Sequence, residues 1–231
     1  MSQVESARDK LIAVHASGPY YDQAESADWL APFWALGSPF LQLFNRLDLA
    51  DAIDFACGRG RHTAQILDRA GRITLVDANA SNIAACTERF ALAPNVTCVV
   101  NPATSLPCAT GAYSALFSYD AMIHFEATDV ITLLGEFARV LRPGGRALLH
   151  YSNYQDDPTG SFADNPSWSA FFSEPMMLHF GSRVGLRKVA SITGSLSRKA
   201  NDGLTLFEKS SSCVRRVSHA CVSDHGDPQP P

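Results

Sequence analysis

The stretch AIDFACGRGRHTAQIL, from Ala52 to Leu67, decides the fold. Its apolar first half ends at Gly58 and Gly60, and the residues from 62 to 70 fit a helix. Glycine lacks a Cβ, so the chain can turn sharply here and a ligand can lie against backbone amides. The start of a helix adds unpaired N–H groups, which suit a carboxylate or a phosphate. The stretch therefore predicts a strand, a ligand-binding turn and a helix.

Strands and helices alternate along the rest of the chain. This alternation predicts an α/β fold with a doubly wound, mostly parallel sheet and helices on both faces. The last two predicted strands have no helix between them, so we expect them to pair antiparallel. The predicted strands are 51–56, 72–78, 95–100, 112–119, 146–152, 186–192 and 203–209, and the predicted helices are 62–70, 79–92, 128–141 and one that begins at Asn165 and Pro166 and stops at Gly185.

Composition limits the classes of function. The 231 residues carry a net charge of −4, so the composition does not indicate a basic surface for binding nucleic acid. None of the six cysteines forms a C-x-x-C pair, so no metal site is predicted. No run of about 18 apolar residues is present, and the first residues lack the apolar core of a signal peptide. The interpretation is a cytoplasmic protein with buried thiols, without a membrane or nucleic-acid partner and of unknown oligomeric state.

Three segments differ in composition. Residues 1–48 are predicted to be helical and rich in aromatic residues, forming a cover over substrate and cofactor. Residues 49–210 hold the alternating strands and helices. Residues 211–231 lose all periodicity and are predicted to be a disordered tail. A second aromatic segment, near residues 154–172, is expected to cover the substrate from the other side, although core packing is the alternative for each ring.

An acid follows the second predicted strand. Asp77 lies 17 residues past Gly60, where a carboxylate can accept hydrogen bonds from both hydroxyls of a ribose. The alternative role for Asp77 is capping the next helix. Thr63 stands where a dinucleotide fingerprint has its third glycine, which weakens the case for NAD.

The glycine loop resembles the first motif of the class I S-adenosylmethionine-dependent methyltransferases, of the small-molecule type. The family motif is acid-x-Gly-x-Gly-x-Gly, and the residues from Asp54 to Gly60 read DFACGRG, with Ala56 in the first glycine position. The stretch RVLRPGGRALLH, residues 139–150, resembles the family's turn into its fifth strand, and SYDAMIHF, residues 118–125, falls at its fourth-strand motif. The resemblance covers about residues 52–152. It implies a Rossmann-like, seven-stranded sheet with the last strand antiparallel and S-adenosyl-L-methionine as cofactor.

The resemblance also implies roles for residues. Asp54 or its neighbours would orient the amino group of the cofactor, and Asp77 would hold the ribose. The family often carries Gly-Asp-Ala after its third strand, whereas this chain has Asn101 and Pro102, so adenine contact falls to Asn101, the Ala103 backbone or Thr104. The implied cofactor-binding set is Tyr21, Asp54, Ala56, Gly58, Gly60, Asp77, Ala78, Asn79, Ala103, Thr104 and Tyr119.

Candidate catalytic residues follow the fourth strand. His124 is the preferred general base, because a histidine titrates near neutral pH and this one is expected near the methyl group. The alternative is a structural histidine that caps the next helix or lines the pocket. Asp120 is expected to position the substrate or hold a backbone amide. His150 is a second base candidate, and Arg61 is expected to be a solvated loop arginine.

The sequence therefore predicts methyl transfer to a small-molecule acceptor, with a hydroxyl of a sugar-like or other metabolite favoured. Two alternatives stay open. A NAD-dependent oxidoreductase would need a catalytic pair such as Tyr-x-x-x-Lys, which is not found. A non-catalytic cofactor-binding module is compatible with Pro102 and with the Ala56 variant.

Overall fold

The computed structural model describes residues 3–15, 20–194 and 201–211. Four helices precede the sheet: α1 (Gln3–Val14), α2 (Tyr20–Ala24), α3 (Ala27–Trp34) and α4 (Pro39–Phe44). The Ser38 hydroxyl caps α4 by accepting the amide of Leu41 at 3.1 Å, and Pro39 suits the first helical turn. The predicted tail lies outside the described residues from 212 onward.

Seven strands form one sheet in the order β3-β2-β1-β4-β5-β7-β6. The first five are parallel, whereas β7 is inserted antiparallel between β5 and β6, which confirms the predicted topology. β1 and β4 are neighbours although β2 and β3 lie between them in sequence, so strand order reverses at this pair. The strands are β1 (Asp51–Phe55), β2 (Arg72–Asp77), β3 (Val96–Val100), β4 (Tyr113–Ser118), β5 (Leu141–Ser152), β6 (Leu186–Gly194) and β7 (Asp202–Lys209).

Three further helices cover the sheet: α5 (Ala80–Arg89), α6 (Ala127–Val140) and α7 (Glu174–Arg183). α6 has the predicted amphipathic pattern, because Val130, Leu133, Leu134 and Phe137 are all fully buried in one cluster with β1, β4 and β5. Within residues 3–15, 20–194 and 201–211, no helix is long and apolar enough to cross a membrane.

The helix predicted at 62–70 is wrong. The segment contains only a short 3-10 turn, Thr63–Gln65, between other turns. Arg61, His62 and Thr63 are consecutive and all buried. His62 accepts a hydrogen bond from Nε1 of Trp34 and the Thr63 hydroxyl donates one to Asp54, so contacts with other segments override the local helical pattern.

The start predicted for the last helix is also wrong. Pro166 begins a separate 3-10 turn, Pro166–Trp168, and α7 starts later at Glu174. Ser173 caps α7, with its hydroxyl accepting the amide of Met176 at 3.3 Å. The predicted stop is confirmed, because Gly185 follows α7 with a φ of +84°, the left-handed conformation that ends helices.

Candidate functional site

A cleft lies beyond the carboxyl ends of β1, β2 and β4, where strand order reverses, and contains about 1180 Å³ of space including its open mouth. The loops after β1, β2, β3 and β4 form its floor and walls, while α1 and α2 cover it. Of the predicted site residues, all except Gly60 and the second base candidate His150 line this cleft: Tyr21, Asp54, Ala56, Gly58, Asp77, Ala78, Asn79, Ala103, Thr104, Tyr119, Asp120 and His124.

The two loop glycines are required by different neighbours. A Cβ on Gly58 would lie 2.8 Å from Cε1 of Tyr21, so the cover over the loop demands glycine there. A Cβ on Gly60 would lie 2.6 Å from Cε2 of Phe90, on the side of the hydrophobic core. Both have left-handed backbones, with φ of +54° and +76°. Gly58 therefore shapes the cleft, and Gly60 lets the loop pack on the protein interior.

Ala56 also has a left-handed backbone, with a φ of +54°. This conformation costs a non-glycine residue about 1–2 kcal/mol, partly offset by the larger entropy of glycine in the unfolded chain. Ala56→Gly is therefore expected to raise the free energy of unfolding by about 0.5–1 kcal/mol, measured by urea denaturation. Ala121→Gly, in the loop after β4, is the control. Equal stability of Ala56→Gly and the wild type would mean that the loop relieves the strain elsewhere.

Asp77 ties the glycine loop to the next strand end. Its Oδ2 accepts the amide of Gly58 at 2.9 Å, and its Oδ1 accepts the amide of Asn79 at 2.8 Å. The cap of α5 is Asn79, whose Oδ1 accepts the amide of Ser81 at 3.0 Å, so the capping alternative considered for Asp77 belongs to Asn79. Burial raises the pKa of Asp77, while the backbone hydrogen bonds oppose that rise.

Tyr21 is fastened over the loop from α2. Its hydroxyl accepts a hydrogen bond from Nδ2 of Asn82 at 2.7 Å, and the same Nδ2 lies 3.3 Å from Oδ1 of Asp77. The Arg59 guanidinium lies 4.9 Å from the centre of the Tyr21 ring. Burial raises the pKa of Tyr21 to about 12, so the hydroxyl is neutral. The side chain of Tyr20, the adjacent tyrosine, lies outside the described part of the structure.

Asp54 is the penultimate residue of β1 and lies beneath the loop. Its side chain is buried and accepts a hydrogen bond from the Thr63 hydroxyl at 2.7 Å. Burial raises the pKa of Asp54 to about 7, against the lowering effects of Thr63 and of the nearby Arg61. The Thr63 that replaces the third glycine of a dinucleotide fingerprint thus orients an acid of the cleft.

The loop after β3 forms the end of the cleft beside Asp77. Asn101 is buried, its amide donates to the Asp77 carbonyl at 3.0 Å, and its Nδ2 donates to the Ser105 carbonyl at 3.3 Å. Ala103 has a φ of +56°, and the Thr104 amide donates to the carbonyl of Pro102. This tight turn brings Asn101, Ala103 and Thr104 to the cleft.

The expectation of a solvated Arg61 is wrong. Its Nη2 lies 3.0 Å from Oδ2 of Asp120, and both side chains are nearly buried. Its Nη1 also donates to the carbonyl of Ala24 at 3.4 Å, at the end of α2. The pairing occurs because the loop after β1 faces the end of β4, its neighbour in the sheet but a distant segment in sequence.

His124 ends a short 3-10 turn, Met122–His124, after β4. Its Nδ1 lies 2.6 Å from the carbonyl oxygen of Trp168. Because a carbonyl only accepts, Nδ1 carries a proton, and in the neutral ring Nε2 then holds the lone pair. The imidazole centre lies 5.4 Å from that of His15, which comes from the end of α1.

His150 does not line the cleft. It lies within β5 rather than after it, and its side chain is fully buried. Its ring stacks on Tyr119 at 4.1 Å with the planes 10° apart, and its Nδ1 accepts the amide of Asp120 at 3.0 Å. His150 therefore stands directly behind two residues of the cleft wall.

The sequence predicts a helical cover from residues 1–48 but does not single out the residues of α1. Five residues on or next to this helix face the cleft with the spacing i, i+1, i+4, i+5 and i+8, a single helix face that could have been recognised. Asp129 of α6 anchors this face by accepting a hydrogen bond from Nε of Arg8 at 3.0 Å. The cleft-facing residues are Ala7, Arg8, Leu11, Ile12 and His15.

The aromatic side chains of the N-terminal segment lie in two different environments, the cleft and the hydrophobic core. Tyr21 faces the cleft. Four other rings of the segment pack inward, against β1, β4 and the loop residue His62, which accepts a hydrogen bond from Nε1 of Trp34. Core packing, the alternative considered for each ring, therefore applies to Phe33, Trp34, Phe40 and Phe44.

Residues 52–145 match the family model described as a methyltransferase domain. A curated relative, methyltransferase GfsG of Streptomyces halstedii, is 28% identical over 151 residues, which are 62% of this chain and 53% of that protein. The chain thus spans about half the length of this curated relative.

Two solved structures share the fold. One is a putative sarcosine dimethylglycine methyltransferase from Galdieria sulphuraria, with a TM-score of 0.62, 18% identity and coverage of 81% of this chain and 86% of that chain. The other is geranyl diphosphate C-methyltransferase from Streptomyces coelicolor A3(2) in complex with S-adenosyl-L-homocysteine. It has a TM-score of 0.60, 18% identity and coverage of 73% of this chain and 74% of that chain.

Proposed function

Because residues 52–145 match a methyltransferase domain and the fold is shared with solved methyltransferases, we propose that this chain is a class I S-adenosylmethionine-dependent methyltransferase that transfers a methyl group from S-adenosyl-L-methionine to a hydroxyl of a small molecule. The observation that carries the proposal is the arrangement of one cleft. Asp77 and the covered glycine loop line the same cleft as His124 and the Arg61–Asp120 pair.

The cofactor fits the end of the cleft built by Gly58, Asp77 and Tyr21. The Asp77 carboxylate already accepts two backbone amides, yet a carboxylate has about four lone-pair sites and can also accept two ribose hydroxyls. Asp54 would face the positively charged amino group, and Asn101, Ala103 and Thr104 would border the adenine. Tyr21 would lie over the bound nucleoside and keep water away from it.

Methyl transfer depends mainly on alignment of the nucleophile with the methyl group. The leaving group needs no activation, because the sulfonium of the cofactor already leaves readily. A hydroxyl nucleophile must also lose a proton. The Trp168 carbonyl holds the proton of His124 on Nδ1, so Nε2 of the neutral ring can accept the proton of the acceptor. Asp120 would position the acceptor from the adjacent wall.

The acceptor half of the cleft favours an uncharged acceptor with an apolar surface. Leu11 and Ile12 of α1, together with Phe125 and Leu133, give the cleft an apolar lining. The arginines that reach this region are ion-paired, Arg8 with Asp129 and Arg61 with Asp120, so their charge is already balanced. Burial and the nearby Asp129 also raise the pKa of Glu126, so an additional negative charge is disfavoured there. A neutral sugar-like ring or another hydroxylated metabolite meets these requirements.

The direct test is calorimetric titration with S-adenosylmethionine, S-adenosylhomocysteine and NAD in parallel. We expect micromolar binding of both sulfur nucleosides and none of NAD. Incubation with methyl-tritiated S-adenosylmethionine and a panel of neutral hydroxylated compounds would then identify the acceptor. Binding of NAD alone would favour an oxidoreductase, and nucleoside binding without transfer to any acceptor would favour a non-catalytic module.

Cofactor binding is expected to depend on pH through Asp54. Burial raises the pKa of this carboxyl to about 7, so below pH 7 most molecules carry it protonated and unable to pair with an ammonium group. The association constant for S-adenosylhomocysteine should therefore rise about tenfold per pH unit from pH 5 to pH 7 and level off above. Calorimetry across this range measures the slope.

Two controls isolate the contribution of Asp54. Asp54→Asn cannot titrate, so its affinity for S-adenosylhomocysteine should be nearly flat over the same range. 5′-Methylthioadenosine lacks the amino-acid part and should bind the wild type without the rise. A wild-type affinity for S-adenosylhomocysteine that is constant from pH 5 to pH 7 contradicts the pairing of Asp54 with the amino group.

A further inference from the structure

His150 is buried behind the cleft. Its geometry excludes it from proton transfer but allows it to fix the position of two residues of the cleft wall, Tyr119 and Asp120. Asp120 has a left-handed backbone, with a φ of +59°, and its amide donates to Nδ1 of His150 at 3.0 Å. This conformation is strained for a residue other than glycine, although aspartate tolerates it better than most. The hydrogen bond from the Asp120 amide therefore helps to keep the chain in an otherwise unfavourable turn.

The same hydrogen bond defines the tautomer of His150. A backbone amide only donates, so Nδ1 must be unprotonated and the neutral ring must carry its proton on Nε2. Nε2 lies 3.3 Å from Oδ2 of Asp202 at the start of β7, and both side chains are fully buried. This contact meets the distance of an ion pair but not the angle of a hydrogen bond. With Nδ1 occupied and Nε2 facing an internal acid, His150 has no lone pair to offer a substrate.

The position of Asp120 controls the turn from Ala121 to His124. This segment folds back at once, because the amide of His124 donates to the carbonyl of Ala121 at 3.1 Å. The Asp120 side chain pairs with Arg61, and the ring of the preceding Tyr119 lies flat on His150. A shift in the Asp120 peptide would thus move the turn that carries His124.

We propose that His150 is a positioning residue for methyl transfer: it holds the Tyr119 ring and the Asp120 amide, and through them the turn that presents His124. This inference rests on the proposed function for its kinetic consequence. It separates two histidines that the sequence cannot tell apart, since the sequence predicts that both follow neighbouring strands, whereas His124 follows β4 and His150 lies within β5.

Long-range ¹⁵N–¹H spectra of histidine-labelled protein test the geometry without any acceptor. His150 is expected as the Nε2-protonated tautomer and His124 as the Nδ1-protonated tautomer. Assignment uses His150→Asn and His124→Asn, each of which removes one ring. The Nδ1-protonated tautomer at His150 would overturn the proposal.

Two replacements separate the hydrogen bond from the packing. His150→Phe keeps a ring against Tyr119 but has no acceptor, whereas His150→Asn has an oxygen near the position of Nδ1. His150→Phe should slow methyl transfer by about 10- to 100-fold, because a small displacement of a catalytic group is costly. Its S-adenosylhomocysteine affinity should stay within about twofold, and the His124 resonances should shift. His150→Asn should retain most of the activity and leave those resonances in place.

The control is His179→Phe, the same change at an exposed histidine of α7 that does not line the cleft. Thermal unfolding of every variant separates loss of fold from loss of position. Absence of nucleoside binding and methyl transfer in the wild type would defeat the proposed function alone, since the spectra still report the two tautomers. Wild-type activity and unshifted His124 resonances in His150→Phe would defeat the positioning role alone.

Discussion

Replacing His124 with alanine is expected to lower kcat for methyl transfer to a hydroxyl by about 10²- to 10⁴-fold, the usual contribution of a general base. The affinity for S-adenosylhomocysteine should change little, because the contacts proposed for the cofactor come from Asp77, Gly58 and Tyr21 and not from His124. The measurement combines initial rates with calorimetry.

His124→Asn is the matched variant for this prediction. An asparagine amide can donate to the Trp168 carbonyl as Nδ1 does, but it has no group that replaces Nε2 as a base. If His124 is the base, both variants lose activity to a similar degree. Recovery of activity in His124→Asn would show instead that the side chain anchors the loop before α7, the structural alternative for this residue.

Replacing Asp77 with alanine is expected to weaken the binding of S-adenosylhomocysteine by about 1–3 kcal/mol, or roughly 5- to 150-fold. The ribose hydroxyls would lose a charged acceptor. The amides of Gly58 and Asn79 would also lose their partner, so the glycine loop would be less well held before the ligand arrives. Calorimetric titration measures the change in affinity.

Two variants interpret the Asp77 result. Asp68→Ala removes the same charge from an exposed turn that does not line the cleft, and its affinity should match the wild type. Asp77→Asn retains one oxygen that can accept a backbone amide, so its loss should be intermediate. Unchanged affinity in Asp77→Ala would move the ribose contact to another residue.

Much of the fold could be predicted from local patterns. Glycines after an apolar run located the loop after β1, and the absence of a helix between the last two strands predicted their antiparallel pairing. Both signals are local because backbone conformation and hydrophobic periodicity depend on neighbouring residues. The same locality explains the wrong helix at 62–70, since the burial of Arg61, His62 and Thr63 depends on partners elsewhere in the chain.

Some features of the candidate site could also be predicted from the sequence, and others depend on tertiary contacts. Asp54 and Asp77 end adjacent parallel strands, so their convergence on one cleft could be expected from the order of strands. The pairing of Arg8 with Asp129 could not, because 121 residues separate them and nothing in either segment specifies the other. The roles of the residues in binding and catalysis stay predictions that the variants above test.

The sequence by itself determined the succession of strands along the chain, the glycine turn and the acids at the strand ends, because each depends on the conformation of a few consecutive residues. Only the tertiary structure decided that α1 lines the cleft and that Arg61 is paired. The tertiary structure also decided that His124 carries its proton on Nδ1 and His150 on Nε2. A histidine tautomer depends on whether its hydrogen-bond partner is a carbonyl or an amide. That partner is chosen by the packing of distant segments.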